Sequence, residues 1–480
     1  MPAISGKEYI ERINQLKSNV WIHGSQVKGN ISEHPAFKGV MESQASLYDI
    51  QLDKEKSEYM TFISPRTNSR IGTSFLIPTL KSDLEKRRNM IQEWATSSLG
   101  MMGRSPDYMN TALTALAAGA NVFDKLQGAS KENLVRFYEE ARENDYSFTH
   151  TFIHPQVNRA QFYLEELNEE IISAQVIDQN EEGIIVHGAR LLATQGGMTD
   201  ELIVFPSGGD LTNEFAFAFS IPSNTKGLTF ICRESFSYQS SHFDHPLGSR
   251  FEEMDTVIVF DHVLVPWERV FFYDNPDCAK LLYAGTSFYP LILHQILTRR
   301  ITKVETLIGV AQAIIDTINI SEYQHVQDKI SEMITGYESL KGLLFSAELQ
   351  AKQDKWGTMA PALQPLYASA TLFPTLYPRY VEILQLLGAS GIITIPTEKD
   401  FESVIRPELD AYLQAAASNS EDRVKLFRLA WDLSTSAFAG RQTLYERFFF
   451  GDPVRLASNQ YRGYDRKGFV ERIKDFLETK

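Results

Sequence analysis

The feature that most limits what this chain can fold into is a change of period part-way along it. From residue 5 to about 145, apolar residues recur at helical spacing in "GKEYIERINQL", "LKSDLEKRRNMIQEWATS", "SPDYMNTALTALAAGANVF" and "KENLVRFYEEAREN". In the third, Met109, Ala112, Leu113, Leu116, Ala117 and Ala120 make one apolar face. From about 147 to 273 the period shortens. "FTHTFI", "ISAQVIDQ", "GIIVHGARLL", "ELIVFP", "FAFAFSIP", "LTFICR" and "DTVIVFDHVLVPWERVFF" are β-rich runs broken by Gly, Pro and Asn. Their close spacing suggests a barrel or a sandwich, and no long helical pattern separates them as a parallel βαβ sheet would require. From about 276 helical periodicity returns in long amphipathic segments of bundle type, such as "ILTRRITKVETLIGVAQAIIDTI".

A chain of 480 residues with 43% hydrophobic and 22% charged residues has ample material for a large core. Its net charge of −14 disfavours nucleic acid or an anionic membrane as the main partner, since both require clustered Lys and Arg. Two cysteines, Cys232 and Cys278, make no disulfide framework and point to a reducing compartment. The opening "MPAISGKEYIERIN" lacks the apolar stretch of a signal peptide, and no apolar run reaches membrane-spanning length. The expectation is a soluble, cytoplasmic protein.

Neither the dinucleotide fingerprint GxGxxG after a strand nor the phosphate loop GxxxxGK[ST] occurs, and HExxH and GxSxG are absent. His242 and His245 in "SHFDHP" read more readily as loop residues than as metal ligands. Four stretches carry polar groups at places suited to chemistry. In "GRSPDYMN", Ser105 suits an N-cap, Pro106 the first helical position and Asp107 the positive helix end, which would hold Arg104 and Tyr108 at a rigid helix start. In "FTHTFIHPQVNR", an extended backbone puts Phe148, His150 and Phe152 on one face and Thr149, Thr151 and Ile153 on the other. His150 is then either a satisfied core residue or an acid/base group, and Gln156, Asn158 and Arg159 follow as loop donors.

In "LLATQGGMTDELIVFPSGGD", Thr194 and the Gly196–Gly197 pair suit close approach of a flat ligand, and Ser207 to Asp210 form a polar loop. In "GRQTLYERFFFGDPVR", Gly451 ends an aromatic helical run. Asp452-Pro453 starts a new helix whose N-terminus, with Arg455, suits either a phosphate or a surface turn.

In this order the blocks "GRSPDYMN", "SFTHTFIHPQVNR", "GARLLATQGGMTDELIVFP", "VLVPWERVFFYDN" and "LFRLAWDLSTSAFAGRQTLYERFFFGDP" resemble the 4-hydroxyphenylacetate 3-monooxygenase oxygenase family, the large subunits of two-component flavin monooxygenases. With "GNISEHPAFKG" the resemblance covers nearly the whole chain. It implies an α+β multidomain, acyl-CoA dehydrogenase-like fold. That fold comprises an N-terminal helical domain (1–146), a middle β-barrel (147–275) and a C-terminal four-helix bundle (276–480), assembled as a homotetramer or homodimer. It further implies that a separate NADH-dependent flavin reductase supplies reduced FAD. Reduced FAD and dioxygen then form a flavin hydroperoxide that hydroxylates a phenol ortho to its oxygen.

The resemblance places the catalytic phenol contacts on Arg104, Tyr108 and His150, with Ser207 and Gly208 at the far end of the substrate. The flavin contacts fall on His150, Gln156, Val157, Asn158, Arg159 and Thr194, and the pyrophosphate side on Gly451, Asp452 and Arg455; no metal is implied. The loop "PSGGDLTNEF" offers only Ser207, glycine amides and Thr212, without a local cation for an acid substrate. Halophenols and nitrophenols are therefore alternatives to 4-hydroxyphenylacetate. An acyl-CoA dehydrogenase-like reaction is a more distant alternative, since its signature blocks are absent. A related iron–sulfur dehydratase is excluded by counting, because its cluster needs three cysteines.

Overall fold

The computed structural model describes residues 3–156, 171–207, 211–237 and 241–479. Five helices of eleven residues or more, Gly6–Leu16, Lys38–Gln51, Lys81–Ser97, Pro106–Ala118 and Lys131–Asn144, build the first third. Pro106–Ala118 is buried on every side as far as Ala117, so it is a central strut and not the one-faced amphipathic helix that its spacing suggests. Its polar side chains are paired within the core. Arg87 donates to the Thr111 hydroxyl at 2.6 Å, Asn110 to Ser74 at 3.0 Å and Thr114 to its own helix at the Asn110 carbonyl at 2.6 Å.

The middle of the chain forms two open sheets, and among the described residues they do not close into the expected barrel. The larger has six strands in the order Ser25–Gln26, Val20–Ile22, Leu228–Cys232, Asp255–Pro266, Gly183–Thr194 and Gln175–Gln179. The smaller has four, in the order Val270–Phe272, Ala218–Pro222, Glu201–Val204 and Phe148–Thr151. Where the two meet, side chains replace a backbone ladder. The Thr149 hydroxyl donates to the Thr194 carbonyl at 2.7 Å, and Thr151 donates to the Leu191 carbonyl at 2.8 Å. Those carbonyls are therefore engaged by side chains, and only the Ile153–Leu191 bridge continues the pairing. Val20–Ile22, within the stretch whose period is helical, pairs in parallel with Leu228–Cys232 and ties the first third to the larger sheet.

The last third is helical. Phe288–Ile318, Gln324–Leu349 and Leu363–Gly388 pack on one another, and Ser420–Ser434 and Ala437–Phe448 cover the last of these. One apolar core runs from the early helices through both sheets into this bundle. The order of helices, sheets and helices is that of the acyl-CoA dehydrogenase-like fold. Among the described residues no helix is long and apolar enough to cross a membrane.

Candidate active site

Three segments far apart in the sequence converge where the Pro106–Ala118 helix begins. Ser105 does not cap that helix through its side chain; its hydroxyl donates instead to Asp107 at 2.5 Å. The free amides before the helix are held by a remote carboxylate. Glu253 accepts from the Gly103 N–H at 3.1 Å and from the Arg104 N–H at 2.6 Å. Gly103 leaves room for the next contact, since a Cβ there would lie 2.1 Å from the Tyr445 hydroxyl.

The Arg104 guanidinium lies against two rings that meet edge-on with centroids 5.4 Å apart, 4.3 Å from the Tyr108 centroid and 4.4 Å from that of Phe449. Its Nη1 donates to the Tyr445 hydroxyl at 2.7 Å, and Tyr445 stacks on Phe449 with centroids 4.7 Å apart. Tyr108 also neighbours His150, 5.7 Å away ring to ring, itself stacked on Phe152 at 5.9 Å and edge-on to Phe205 at 6.1 Å. Arg104, Tyr108 and His150 thus share one aromatic-walled site.

The polar groups of this site have unused hydrogen-bonding capacity. The Arg104 Nε is buried without a partner, and neither the Tyr108 hydroxyl nor the His150 ring has a hydrogen bond among the described residues. Burial pushes the His150 pKa well below the ordinary imidazole value, and the Arg104 charge lowers it further, so the ring is neutral at pH 7. Burial raises the Tyr108 pKa against the opposing pull of Arg104, so that phenol keeps its proton.

Charge networks brace the site from behind. Arg441 grips Asp255 through two hydrogen bonds, at 2.8 and 3.0 Å, and also reaches Glu253 at 3.2 Å. Burial favours the neutral acid at Asp255, yet Arg441 and Arg233 outweigh it and leave the pKa below the ordinary range. Below Tyr445, the buried Glu446 carboxylate receives Arg299 at 2.8 Å, Arg300 at 3.0 Å and Lys303 at 2.8 Å. Burial lowers the Lys303 pKa to about 8 in spite of Glu446.

The other expected contacts are distributed around this centre. Thr194 ends its strand beside the network and donates to Asp255 at 2.8 Å; next to it the buried Gln195 Nε2 is without a partner. Gly196 and Gly197 are required by packing, since a Cβ on either would strike Thr256 or Val20 at 2.2 to 2.3 Å. Ser207 follows Phe205 and lies 2.7 Å from His154 Nε2, and His154 is 3.0 Å from Arg190 Nη1. Arg190 is fully buried and has no carboxylate partner among the described residues. Through His154, the Ser207 hydroxyl is thus linked to a guanidinium of the Gly183–Thr194 strand. Burial lowers the Arg190 pKa to about 9, and burial with the Arg190 charge lowers that of His154 to about 3.

Gln156 is exposed, while Val157, Asn158, Arg159 and Gly208 lie outside the described residues. Gly451, at φ +116°, turns the chain after Phe450. The Asp452 carboxylate caps the Pro453–Gly463 helix through the Val454 and Arg455 amides, at 2.9 and 3.2 Å, and Arg455 is exposed. That carboxylate takes amides a phosphate would use. His242 sits 2.8 Å from Ser249 and His245 packs on Trp431, and the two do not converge with other ligands on a metal position among the described residues.

Sequence reasoning did not single out Glu253, Tyr445, Phe449, Arg441 or Arg190. Tyr445 and Phe449 carried a usable signal, being one helical turn apart and so on one face.

Profiles of the 4-hydroxyphenylacetate 3-hydroxylase N-terminal and C-terminal regions match residues 5–272 and 279–478. The chain belongs to the 4-hydroxyphenylacetate 3-hydroxylase family. It is 53% identical to a probable 4-hydroxyphenylacetate 3-monooxygenase of Bacillus subtilis, over all of this chain and 99% of that one. It is 42% identical to the 4-hydroxyphenylacetate 3-monooxygenase oxygenase component of Thermus thermophilus, over 99% of this chain and 98% of that one. A crystal structure of an oxygenase component of 4-hydroxyphenylacetate 3-monooxygenase, complexed with FAD and 4-hydroxyphenylacetate, superposes with a TM-score of 0.94. It is 42% identical and covers 99% of this chain and 98% of its own. In this family the aromatic-walled site is the natural candidate for the active site.

Proposed function

We propose that this chain is the oxygenase component of a two-component flavin monooxygenase that hydroxylates 4-hydroxyphenylacetate ortho to its hydroxyl group. The observation that carries the reading is the convergence of Arg104, Tyr108 and His150, three polar groups with spare hydrogen-bonding capacity inside an aromatic wall. A phenol oxygen among them meets a fixed cation, a hydroxyl and a neutral imidazole. His150, kept neutral by burial and by Arg104, accepts a hydrogen bond from the phenol hydroxyl, and the guanidinium stabilises the phenolate character that develops on the oxygen. The ring thereby gains electron density at its ortho carbon. Tyr108 fixes the oxygen in place by hydrogen bonding.

At the other end of the substrate, Arg190 acts through His154 on Ser207 and gives that wall the positive potential an acid side chain needs. The chain's donors also fit a flavin. Thr194 and the orphaned Gln195 amide lie together beside the Arg441–Asp255 pair, and the exposed Gln156 follows the His150 strand by five residues. Reduced FAD with dioxygen would supply the oxygen-transfer chemistry, delivered by a separate reductase. The Lys467–Glu478 helix leaves Phe469, Val470, Ile473, Phe476 and Leu477 exposed along one side, which supports self-association through the helical end of the molecule.

The test combines the protein with NADH, FAD, a generic flavin reductase, dioxygen and catalase, and scores 3,4-dihydroxyphenylacetate formed from 4-hydroxyphenylacetate. An anaerobic titration with reduced FAD accompanies it. Product formation and tight binding are expected. Failure to bind reduced FAD, with or without the phenol, would sink the proposal.

A further inference from the structure

The Gly183–Thr194 and Asp255–Pro266 strands pair with two register shifts, one between Thr256 and Ile258 and the other between Phe260 and Val263. Phe260 faces Gly188 and Val263 faces Val186, so Asp261 and His262 together oppose the single residue His187. This is a β-bulge, two residues against one. Its second residue, His262, has φ +51°, a left-handed conformation that residues other than glycine rarely adopt. A glycine would hold that backbone with less strain, and a histidine there contributes a side chain. The bulge turns that side chain onto the same patch as His187 and Asp261.

The two imidazole centroids are 4.4 Å apart. Asp261 Oδ1 lies 2.8 Å from His262 Nδ1 and 3.8 Å from His187 Nδ1, and one ligand atom from each of the three residues falls within 4.8 Å of the others. Tetrahedral coordination with bonds near 2.1 Å spaces ligands about 3.4 Å apart, which small side-chain rotations reach from here. The backbone beneath is held firmly. The Asp261 amide donates to the Gly227 carbonyl at 2.9 Å, and Gly227, at φ +88°, lies so close that a Cβ would meet the Asp261 oxygen at 2.5 Å. The His187 Nδ1 is buried without a hydrogen bond although the rest of the cluster is exposed.

We propose that His187, Asp261 and His262 form a binding site for a divalent transition-metal ion, separate from the phenol site. Two imidazoles and one carboxylate suit a borderline cation such as Zn²⁺, Co²⁺ or Ni²⁺, whereas Mg²⁺ and Ca²⁺ prefer oxygen ligands. The ion ties two neighbouring strands of the larger sheet across the bulge, with water completing its coordination. Thr194, at the active-site end of the same strand, is seven residues on, about 23 Å at the rise of an extended strand. The site therefore stabilises the sheet and takes no part in hydroxylation.

The full chain, stripped with chelator, is titrated with Zn²⁺ by equilibrium dialysis and with Co²⁺ by visible absorption. One ion per chain is expected, with a rise in Tm on loading and a d–d band typical of nitrogen and oxygen ligands. His187→Gln and His262→Gln should each weaken Zn²⁺ binding about tenfold or more and leave hydroxylation unchanged. His262→Gly separates the site from the fold, since it relieves the bulge: the metal-free variant should melt no lower than the metal-free wild type, while its Zn²⁺-induced rise in Tm is lost. Zn²⁺ uptake by the wild type no greater than by these variants overturns the proposal.

Discussion

Tyr445→Phe removes one oxygen from the site and little else. The ring stack on Phe449, centroids 4.7 Å apart, survives the change, as does the burial of the side chain. What is lost is the acceptor of the 2.7 Å hydrogen bond from Arg104 Nη1, leaving that nitrogen only the Gly103 carbonyl at 3.3 Å. A hydrogen bond to a charged group contributes about 1.5–3 kcal/mol. The two cation–π contacts, at 4.3 and 4.4 Å, still hold the plane of the guanidinium, so the lower half of that range applies. If that energy is realised as the phenolate forms, the hydroxylation step slows about 13- to 45-fold. Reoxidation of reduced FAD does not depend on the phenol contacts and keeps its rate, so the loss shows as uncoupling. Product and peroxide per reduced FAD are measured in single turnovers with saturating substrate. Coupling and hydroxylation rate within about twofold of wild type, with Arg104 in its native position, would refute the view that Tyr445 orients the cation.

Arg104→Ala and His150→Ala should each lower hydroxylation about 100-fold or more while peroxide release continues; wild-type hydroxylation with normal substrate affinity in either variant would remove that residue from the site. Glu446→Gln leaves Arg299, Arg300 and Lys303 buried without their shared anion. A loss of about 4 kcal/mol is expected, roughly 4 °C in Tm for a chain of 480 residues, partly restored by adding Lys303→Met, and calorimetry of the single and double variants checks it. His154 titrates at about 3 when folded and near 6.5 when unfolded. The stability of its neutral form is complete above pH 6.5 and is lost as pH falls towards 3. His154→Asn should therefore gain on the wild type by about 2 kcal/mol between pH 6.5 and 4.5 in denaturant titrations, and parallel pH profiles would contradict the assignment.

Period along the chain was enough to order the three regions, because helical and extended backbones repeat at 3.6 and 2 residues whatever their tertiary partners. Closure of the sheets was not legible in the same way. It depends on whether carbonyls at the Phe148–Thr151 edge meet amides or threonine hydroxyls, and Thr149 and Thr151 chose the latter through partners more than 35 residues away. The site divides along the same line. Arg104, Tyr108 and His150 lie in blocks whose local chemistry is distinctive. Glu253, 149 residues from the amide it holds, has no local mark of its role, and Tyr445, 341 residues from the guanidinium it receives, is marked only by sharing a helical face with Phe449. Ser105 shows the reverse case, a residue of ideal capping type whose hydroxyl is diverted to Asp107, while the Tyr108 amide within the first turn bonds the Ser105 carbonyl at 3.1 Å instead.

Glu253 also sets the order in which a growing chain gains its reactivity. The backbone of Arg104 waits for a carboxylate from the start of the Asp255–Pro266 strand, and its guanidinium waits for rings from the last tenth of the chain. Arg441 joins both requirements by bonding Glu253 and Asp255 from the helix that carries Tyr445. A nascent or clipped chain that ends before this helix retains His150 and Tyr108 but has no oriented cation to hold a phenolate. On the proposed reading, the phenolate site is therefore complete only where residues of all three regions meet.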